Sequence, residues 1–332
     1  MIMKRFVHTS LLGVLLFSFA AMAQAQEQPT ASVGTGTAPS PTSPNPECKI
    51  CRWVELDTVT ISTRYLFSDD SLGNINAKQN QHQEAIAGRF KFDPAGKVAI
   101  NAGLLSGSNF AGGWNDTGLG GRGRGSANIY LKQLYLSVQP VKGLEFQYGS
   151  FGVLKGESTD ITSYANPGYL VGERVIVERP QDLFFDQIAV TYAYLGDYFT
   201  PNVNKRYHRL KQSNYHQFLV SKKIGNRAVV STDYTFQDGA ETMREAVSIN
   251  AKELRVIDTF RFENYQRTDV NSAYGFAVSG EKKLFNRLTL GGGFAQVDRN
   301  FGPFNSDAFF DGRRVFVSGH ADISPEFGIS TH

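Results

Sequence analysis

Cysteine is nearly absent from this sequence. Cys48 and Cys51 are the only two in 332 residues, and they form a C-x-x-C pair in "PECKICRW". Covalent haem attachment is excluded because Arg52, and not a histidine, follows Cys51, and a zinc site is excluded for want of a second cysteine pair. A local disulfide, a bond to a partner protein and a redox-active pair remain open.

A large excess of one charge sign is also missing. The chain holds 34 Lys and Arg against 31 Asp and Glu, a formal net charge of +3, which is too weak to indicate a nucleic-acid partner. No H-E-x-x-H sequence, phosphate loop or dinucleotide fingerprint occurs, so we expect no metal site, no cofactor and no enzymatic activity. The best catalytic candidates are His320 and Asp322, which would share one face of a strand.

A long apolar run occurs only near the N-terminus. Lys4 and Arg5 precede the run "LLGVLLFSFAAM", and small residues follow it in "AMAQAQ". This order is typical of a secretory signal peptide, and the run is shorter than the roughly 20 residues of a membrane-spanning helix. We therefore predict a signal peptide over residues 1–25 and an exported protein. In an oxidising compartment the favoured state of Cys48 and Cys51 is a disulfide.

The composition changes twice after the predicted cleavage site. Residues 26–52 are rich in Pro, Ser, Thr and Gly, which predicts a flexible periplasmic segment that carries the C-x-x-C pair. From Trp53 onward, short apolar and aromatic alternations are separated by Gly, Asn, Asp and Pro. We predict that residues 53–332 form the folded domain.

Helical periodicity is nearly absent from this domain, and alternation with period two takes its place. In "TVTISTRYLF", Val59 and Ile61 fall on one face of a strand while Thr60 and Ser62 fall on the other. The same pattern recurs along the chain and predicts about fifteen strands from Thr58 onward. This number includes "YLVGERVIVE" and "REAVSIN", whose two faces are poorly separated.

The connections between the predicted strands alternate in length. Tight turns such as "FDPAGKV", "VQPVKGLEF" and "KKIGNRAV" alternate with longer polar loops, predicted over residues 68–83, 107–127, 153–168, 195–214, 265–271 and 298–311. Short turns on one side and long loops on the other are typical of outer-membrane barrels, whose strand number is usually even. Because our number is odd, we expect the last strand or strands to be missing from this chain.

The two faces of the predicted strands differ in polarity. One is apolar, with residues such as Leu136, Phe146 and Val190, and the other carries many charges and amides. A soluble core does not accept many unpaired ions, whereas a water-filled lumen does. We therefore predict an all-β fold, a transmembrane antiparallel β-barrel of about 14–16 strands. A soluble β-sandwich is the alternative.

One segment carries a family resemblance. The strand, tight turn, strand and glycine run of "LKQLYLSVQPVKGLEFQYGSFGVLKGE" resembles Gram-negative outer-membrane porins, including the broad group of substrate-selective and alginate-export-like channels. The resemblance implies that the third long loop folds into the barrel and that its acidic residues face a basic wall. The residues that would line the pore are Arg64, Arg89, Lys91, Glu157, Asp160, Arg261, Arg314 and His320.

The predicted function is a porin-like channel of the cell outer membrane for passive passage of small hydrophilic solutes, with anionic solutes among the candidates. Three roles are open for the basic loop "NKRYHRLKQ": contact with lipopolysaccharide phosphates, attraction of anionic solutes, or a solvated loop without a partner. The outward face would contact outer-membrane lipid. Whether three barrels associate as a homotrimer is left open. The alternative function is that of a non-transporting envelope β-barrel or β-sandwich, acting as a structural or binding protein.

Overall fold

The computed structural model describes most of the chain after Cys51. The described ranges are 52–69, 75–108, 110, 114–119, 128–159, 170–178, 184–195, 207–209, 212–270, 273–284, 288–298, 312–324 and 327–331. The predicted signal peptide, the predicted flexible segment up to Cys51, and the Cys48 and Cys51 pair lie outside these ranges. No helix within them is long and apolar enough to cross a membrane.

The described chain is built almost entirely of strands, with one short 3₁₀ turn at Lys252–Leu254. The strands are β1 (Val54–Asp69), β2 (Ile75–Lys91), β3 (Val98–Ser106), β4 (Asn115–Asp116), β5 (Ile129–Val141), β6 (Leu144–Phe151), β7 (Leu170–Val177), β8 (Gln187–Leu195), β9 (Tyr215–Ile224), β10 (Ala228–Gln237), β11 (Ala240–Asn250), β12 (Thr259–Arg267), β13 (Tyr274–Leu284), β14 (Leu288–Val297), β15 (Gly312–Ser324) and β16 (Phe327–Thr331).

All strands belong to one antiparallel sheet in which each long strand pairs with the next along the chain. The two-residue strand β4 lies off this path and pairs with β2, so fifteen strands form the continuous sheet. Within the described ranges, β1 pairs with β2 alone and β16 with β15 alone, and the sheet is not closed. The predicted all-β antiparallel fold and the predicted number of strands are confirmed.

Alternation of side chains separates an inward from an outward face of the sheet. In β8, Gln187 and Thr191 are buried on the inward face, whereas Val190 and Tyr192 are each 49% exposed on the outward face. Outward aromatic rings form a row near one end of the strands: His216 stacks on Tyr192 with ring centroids 4.8 Å apart, and Phe236 lies 5.5 Å from His216. Such a row suits the interface between lipid and water.

Two predicted segments differ from the structure. The loop predicted over residues 68–83 is wrong, because β1 continues to Asp69 and β2 begins at Ile75. The polar run "NAKQNQHQE" lacks an apolar face, but its backbone pairs residue by residue with β1. The loop predicted from residue 265 begins only after Arg267, where β12 ends.

The weakly patterned strands of the sequence are nevertheless formed. "YLVGERVIVE" contains β7, and "REAVSIN" lies within β11. The turn before β11 consists of Asp238 and Gly239, whose φ angles are 48° and 85°. Two successive positive φ values are typical of the tight hairpin turn that Asp-Gly favours, so the pairing of β10 with β11 follows from turn chemistry.

Candidate functional site

The candidate site is the inward face of the sheet together with residues 152–159, which follow β6 and are here named the inward segment. Leu154 is buried against Ile176 of β7, Ala189 of β8 and Leu219 of β9. Gln217 of β9 donates a hydrogen bond from Nε2 to the Leu154 carbonyl oxygen at 2.8 Å. The inward segment therefore crosses the sheet on its inward side and packs on the wall formed by β7–β9.

The far end of the inward segment is fixed to β10 and β11. The Ser158 backbone N–H donates to Ser231 Oγ at 3.1 Å, and Ser158 Oγ donates to the Ala246 carbonyl oxygen at 2.9 Å. Gly156 lies so close to the wall that an added Cβ would be 2.3 Å from Ser231 Cβ. A larger residue at position 156 cannot be accommodated without a shift of the segment.

Arg174 of β7 holds the beginning of the inward segment. Its Nη2 donates to the Gly152 carbonyl oxygen at 2.6 Å, its Nε to Thr191 Oγ1 at 2.9 Å and its Nη1 to Gln147 Oε1 at 3.2 Å. The guanidinium also lies 4.3 Å from the ring centroid of Phe151. Among the described residues no carboxylate forms an ion pair with Arg174, so this buried cation is held by neutral acceptors and an aromatic face.

A buried ion pair lies farther along the same wall. Arg244 of β11 and Asp233 of β10 are 3.3 Å apart between Nη1 and Oδ1, and Thr235 Oγ1 donates to the same carboxylate oxygen at 3.0 Å. Both charged side chains point inward and are at most 10% exposed. A buried charge is stabilised when it is paired and hydrogen-bonded, and this pair adds no net charge to the inward face.

Apolar side chains fill the space beside the beginning of the inward segment. The cluster contains aromatic and aliphatic residues from β6–β9 and from the connection between β3 and β5, namely Phe110, Phe151, Leu170, Ala193, Leu195 and Tyr215. Val153 of the inward segment packs against it. This cluster and the inward segment together cover the wall formed by β6–β11, whereas Asp57 of β1 and Arg314 of β15 are exposed on the inward face.

Charges at the β1–β2 wall occur in pairs. Lys91 Nζ lies 2.6 Å from Glu55 Oε2, and Arg89 Nε lies 3.9 Å from Asp57 Oδ1. The acidic partners come from β1, within the strand itself, and not from a loop. A partly exposed pair of this kind contributes roughly 0–1 kcal/mol to stability, so its main effect is on the potential inside the barrel.

The predicted pore residues occupy different parts of the inward face. Arg64 of β1 stands opposite Gln81, His320 of β15 stands opposite Thr289, and Arg314 is exposed opposite Ala295. Arg261 of β12 stands between Ser248 and Ser279. Asp160 lies outside the described residues.

The predicted acidic residue Glu157 has a partner that the sequence analysis did not name. Its Oε2 lies 3.2 Å from Nζ of Lys223, the last inward residue of β9. Within the described ranges, no ion pair joins Glu157 to Arg64, Arg89 or Arg261. The charges that the structure brings together are therefore Glu157 with Lys223, and Arg89 and Lys91 with acids of β1.

The sequence analysis missed three residues of the candidate site, namely Arg174, Asp233 and Arg244. A signal for Arg174 was present, because it alternates with Leu170, Gly172 and Ile176 on the inward face of β7. Nothing in the sequence marks that the segment after β6 would reach it. Among the described residues, no group of three or more His, Cys, Asp or Glu side chains is placed to hold a metal ion.

Similar solved structures share this architecture. A multiple mutant of the Rh. blastica porin superposes with a TM-score of 0.52 and 11% sequence identity, over 83% of this chain and 92% of that chain. A second Rh. blastica porin mutant has a TM-score of 0.50, 10% identity and the same coverage. Pseudomonas aeruginosa OccD3 has a TM-score of 0.48 and 12% identity, over 81% of this chain and 67% of that chain.

The similarity to the Rh. blastica porin shows the fold of the chain, which is that of a porin-type β-barrel. No protein-family model matches the sequence, and no curated protein matches it.

Proposed function

Given the porin-type fold, we propose that the protein is an outer-membrane channel for passive passage of small hydrophilic solutes. The observation that carries the proposal is a polar inward face crossed by the inward segment, while the opposite face exposes apolar side chains. A channel of this kind selects by the width and the charge of its lumen. The residues of the chain need perform no chemistry on the solute.

The passage runs between the inward segment and the wall formed by β1–β2 and β12–β15. Solutes that cross it pass the charged side chains of these strands and the outer surface of the segment. The pore-lining set is therefore Arg64, Arg89, Lys91, Glu157, Asp160, Arg261, Arg314 and His320.

A weak preference for anions belongs to the same proposal. The pairs Asp233 with Arg244 and Glu55 with Lys91 cancel in net charge, whereas Arg174 forms no ion pair with a carboxylate among the described residues. Arg314 is an exposed cation on the inward face of β15. Positive charge along a narrow lumen raises the local concentration of anions.

Planar-bilayer recording of the purified full-length protein tests the proposal. Stepwise single-channel currents are expected, and in a potassium chloride gradient the reversal potential should indicate a modest preference for chloride. Protein that inserts into the bilayer without any stepwise current would contradict the channel. Equal permeability of potassium and chloride would contradict the anion preference alone.

Two neighbouring arginines provide a matched pair of variants. Arg314 lies on the inward face opposite Ala295, and Arg313 lies on the outward face opposite Gln296, while both are exposed. Arg314→Gln is expected to shift the reversal potential toward cation permeability, and Arg313→Gln is expected to leave it unchanged. Equal shifts in the two variants would contradict the assignment of the inward face.

The location of the protein is part of the proposal. Four further points stay predictions. They are export by the signal peptide, a periplasmic N-terminal segment with a Cys48 and Cys51 disulfide, contact with lipopolysaccharide, and association into a homotrimer. Membrane fractionation together with heat-modifiable migration on a gel measures the location, since a closed barrel migrates differently before and after boiling. Recovery in the soluble fraction would favour the β-sandwich alternative.

A further inference from the structure

The outward face has a groove where β12, β13 and β14 meet. Gly280 of β13 stands between Phe260 of β12 and Gly292 of β14, so two adjacent outward positions carry no side chain. The next outward row toward one end of the groove contains Val278 and Phe294, and the row toward the other end contains Lys282 and Leu290. The groove has a volume of about 480 Å³, within the roughly 300–1,000 Å³ typical of small-molecule sites.

The backbone does not require glycine at the floor of the groove. Neither Gly280 nor Gly292 has a φ angle in the left-handed region. A Cβ at Gly280 would lie 3.4 Å from two Ile257 side-chain atoms, which is an ordinary contact, and a Cβ at Gly292 would lie 3.1 Å from the Phe316 carbonyl oxygen, which is a tight contact. A side chain at position 280 would therefore contact Ile257 and take up part of the groove.

One end of the groove is charged. Lys282 lines it, and Nζ of Lys282 lies 2.8 Å from Asp258 Oδ1 while the Lys283 backbone N–H donates to Asp258 Oδ2 at 2.7 Å. The Lys282 side chain remains 30% exposed. An ammonium group has three donors, and its pair with Asp258 uses one of them. This end lies near the end of β13 at Leu284.

The chemistry of the groove selects its occupant. Its walls are apolar over most of their length, so water finds too few polar partners there, and an empty groove forfeits dispersion contacts. A linear hydrocarbon chain fills an open groove, and a phosphate can accept the remaining donors of Lys282. We propose that the groove binds one acyl chain of a glycerophospholipid, with its phosphate at Lys282. The proposal rests on the membrane location proposed above.

A second lysine provides an internal control. Lys222 lies on the outward face of β9 beside a short turn, its Nζ is 3.7 Å from Asp186 Oδ2, and the Lys223 backbone N–H donates to the same oxygen at 2.5 Å. Its exposed fraction, 33%, matches that of Lys282. The glycine floor, however, is present only at Lys282. Lys222 is thus also an outward lysine next to an aspartate, with its Nζ 5.3 Å from the Phe184 ring centroid, but it lacks the groove.

Native mass spectrometry of the full-length protein tests the proposal. The protein is mixed in detergent with palmitoyl-oleoyl phosphatidylglycerol or with the corresponding diacylglycerol, which lacks the phosphate, and the bound lipid is measured. Lys282→Gln is expected to weaken phosphatidylglycerol binding about tenfold, the worth of one charge-assisted hydrogen bond. Diacylglycerol binding should not change, and Lys222→Gln should change neither.

A second set of variants tests the proposal by filling the groove with a side chain. Gly280→Leu places a side chain in the groove beside Ile257 and is expected to abolish binding of both lipids. Ala102→Leu adds the same side chain to an exposed outward position of β3 and should retain binding. Equal binding by wild type and Gly280→Leu, or equal losses for Lys282→Gln and Lys222→Gln, would overturn the proposal.

The same preparations are recorded in planar bilayers. Channel currents without site-dependent lipid binding would contradict the groove and leave the proposed channel intact. Lipid binding that is lost in Gly280→Leu, in a protein without currents, would contradict the channel and leave the groove intact.

Discussion

Replacement of Arg174 by methionine should release the inward segment without unfolding the sheet. Of the three hydrogen bonds that Arg174 donates, the one to the Gly152 carbonyl oxygen, at 2.6 Å, holds the segment directly. A hydrogen bond from a charged donor contributes roughly 1.5–3 kcal/mol. Since each 1.4 kcal/mol is about a factor of ten in an equilibrium constant, local opening of the segment should become roughly 10–100 times more frequent.

Trypsin measures this opening, because Lys155 lies within the inward segment and is followed by Gly156. When opening and closing are fast relative to cleavage, the cleavage rate follows the open population. The rate of cutting after Lys155, followed by mass spectrometry of that peptide, should rise by roughly the same 10–100-fold in Arg174→Met. Heat-modifiable migration should be retained, since the backbone ladder of β7 is intact.

Arg89→Met is the matched control. Arg89 is also an inward arginine, but its partner is Asp57 of β1 and it makes no contact with the inward segment in the described structure. Its cleavage rate after Lys155 should equal that of the wild type. An unchanged rate in Arg174→Met, with the barrel still heat-modifiable, would refute the view that Arg174 holds the segment.

Three further variants test other parts of the structure. Gly156→Val should displace the inward segment from Ser231, because even the Cβ would lie 2.3 Å from Ser231 Cβ, and single-channel conductance should change. Ala102→Val, at an exposed outward position of β3, is the control and should leave the conductance unaltered. Gly239→Ala should lower the free energy of unfolding in urea by about 1 kcal/mol because its φ of 85° disfavours a Cβ; Gly280→Ala, without a left-handed φ, is the control, and equal losses would contradict the turn assignment. Hydrogen bonding to Arg267 lowers the pKa of Asp269 to about 2. The ionised Asp269 therefore stabilises the folded state at pH values above its unfolded pKa near 4, and this stabilisation is lost as the pH falls toward about 2. Asp269→Asn should therefore lower the thermal midpoint at pH 6 but not at pH 2, and an equal difference at both values would contradict the ion pair.

The fold was largely predictable because period-two alternation directly reflects the geometry of a strand. Where alternation fails, other forces decide the structure. Residues 75–84 of β2 are polar on both faces, and their conformation depends on backbone pairing with β1. In β11, Glu245 lies on the outward face and Arg244 on the inward face, so polarity does not separate the faces, and the Asp238 and Gly239 turn is the better signal.

The candidate site was predictable only in part. Charged residues on inward strand positions follow from alternation, which identified Arg89 and Arg261. The partners of these charges depend on the distance between elements that are far apart in the sequence. Ser158 and Ala246 are 88 residues apart and Gln217 and Leu154 are 63 residues apart, and no local pattern encodes such contacts.

The hairpin lengths also give the barrel an uneven rim. β2 pairs with β3 only from Ala85 onward, so residues 75–84 extend past β3 by about 30 Å at roughly 3.3 Å per residue. The β10–β11 hairpin, in contrast, ends level with the neighbouring β9 at Tyr215 and β12 at Arg267. Among the described residues, a molecule approaching from this end therefore meets a long hairpin at β1–β2 and a short one at β10–β11. Bulky probes, such as an antibody fragment or an inserted peptide tag, should therefore be accommodated at Asp238 and Gly239.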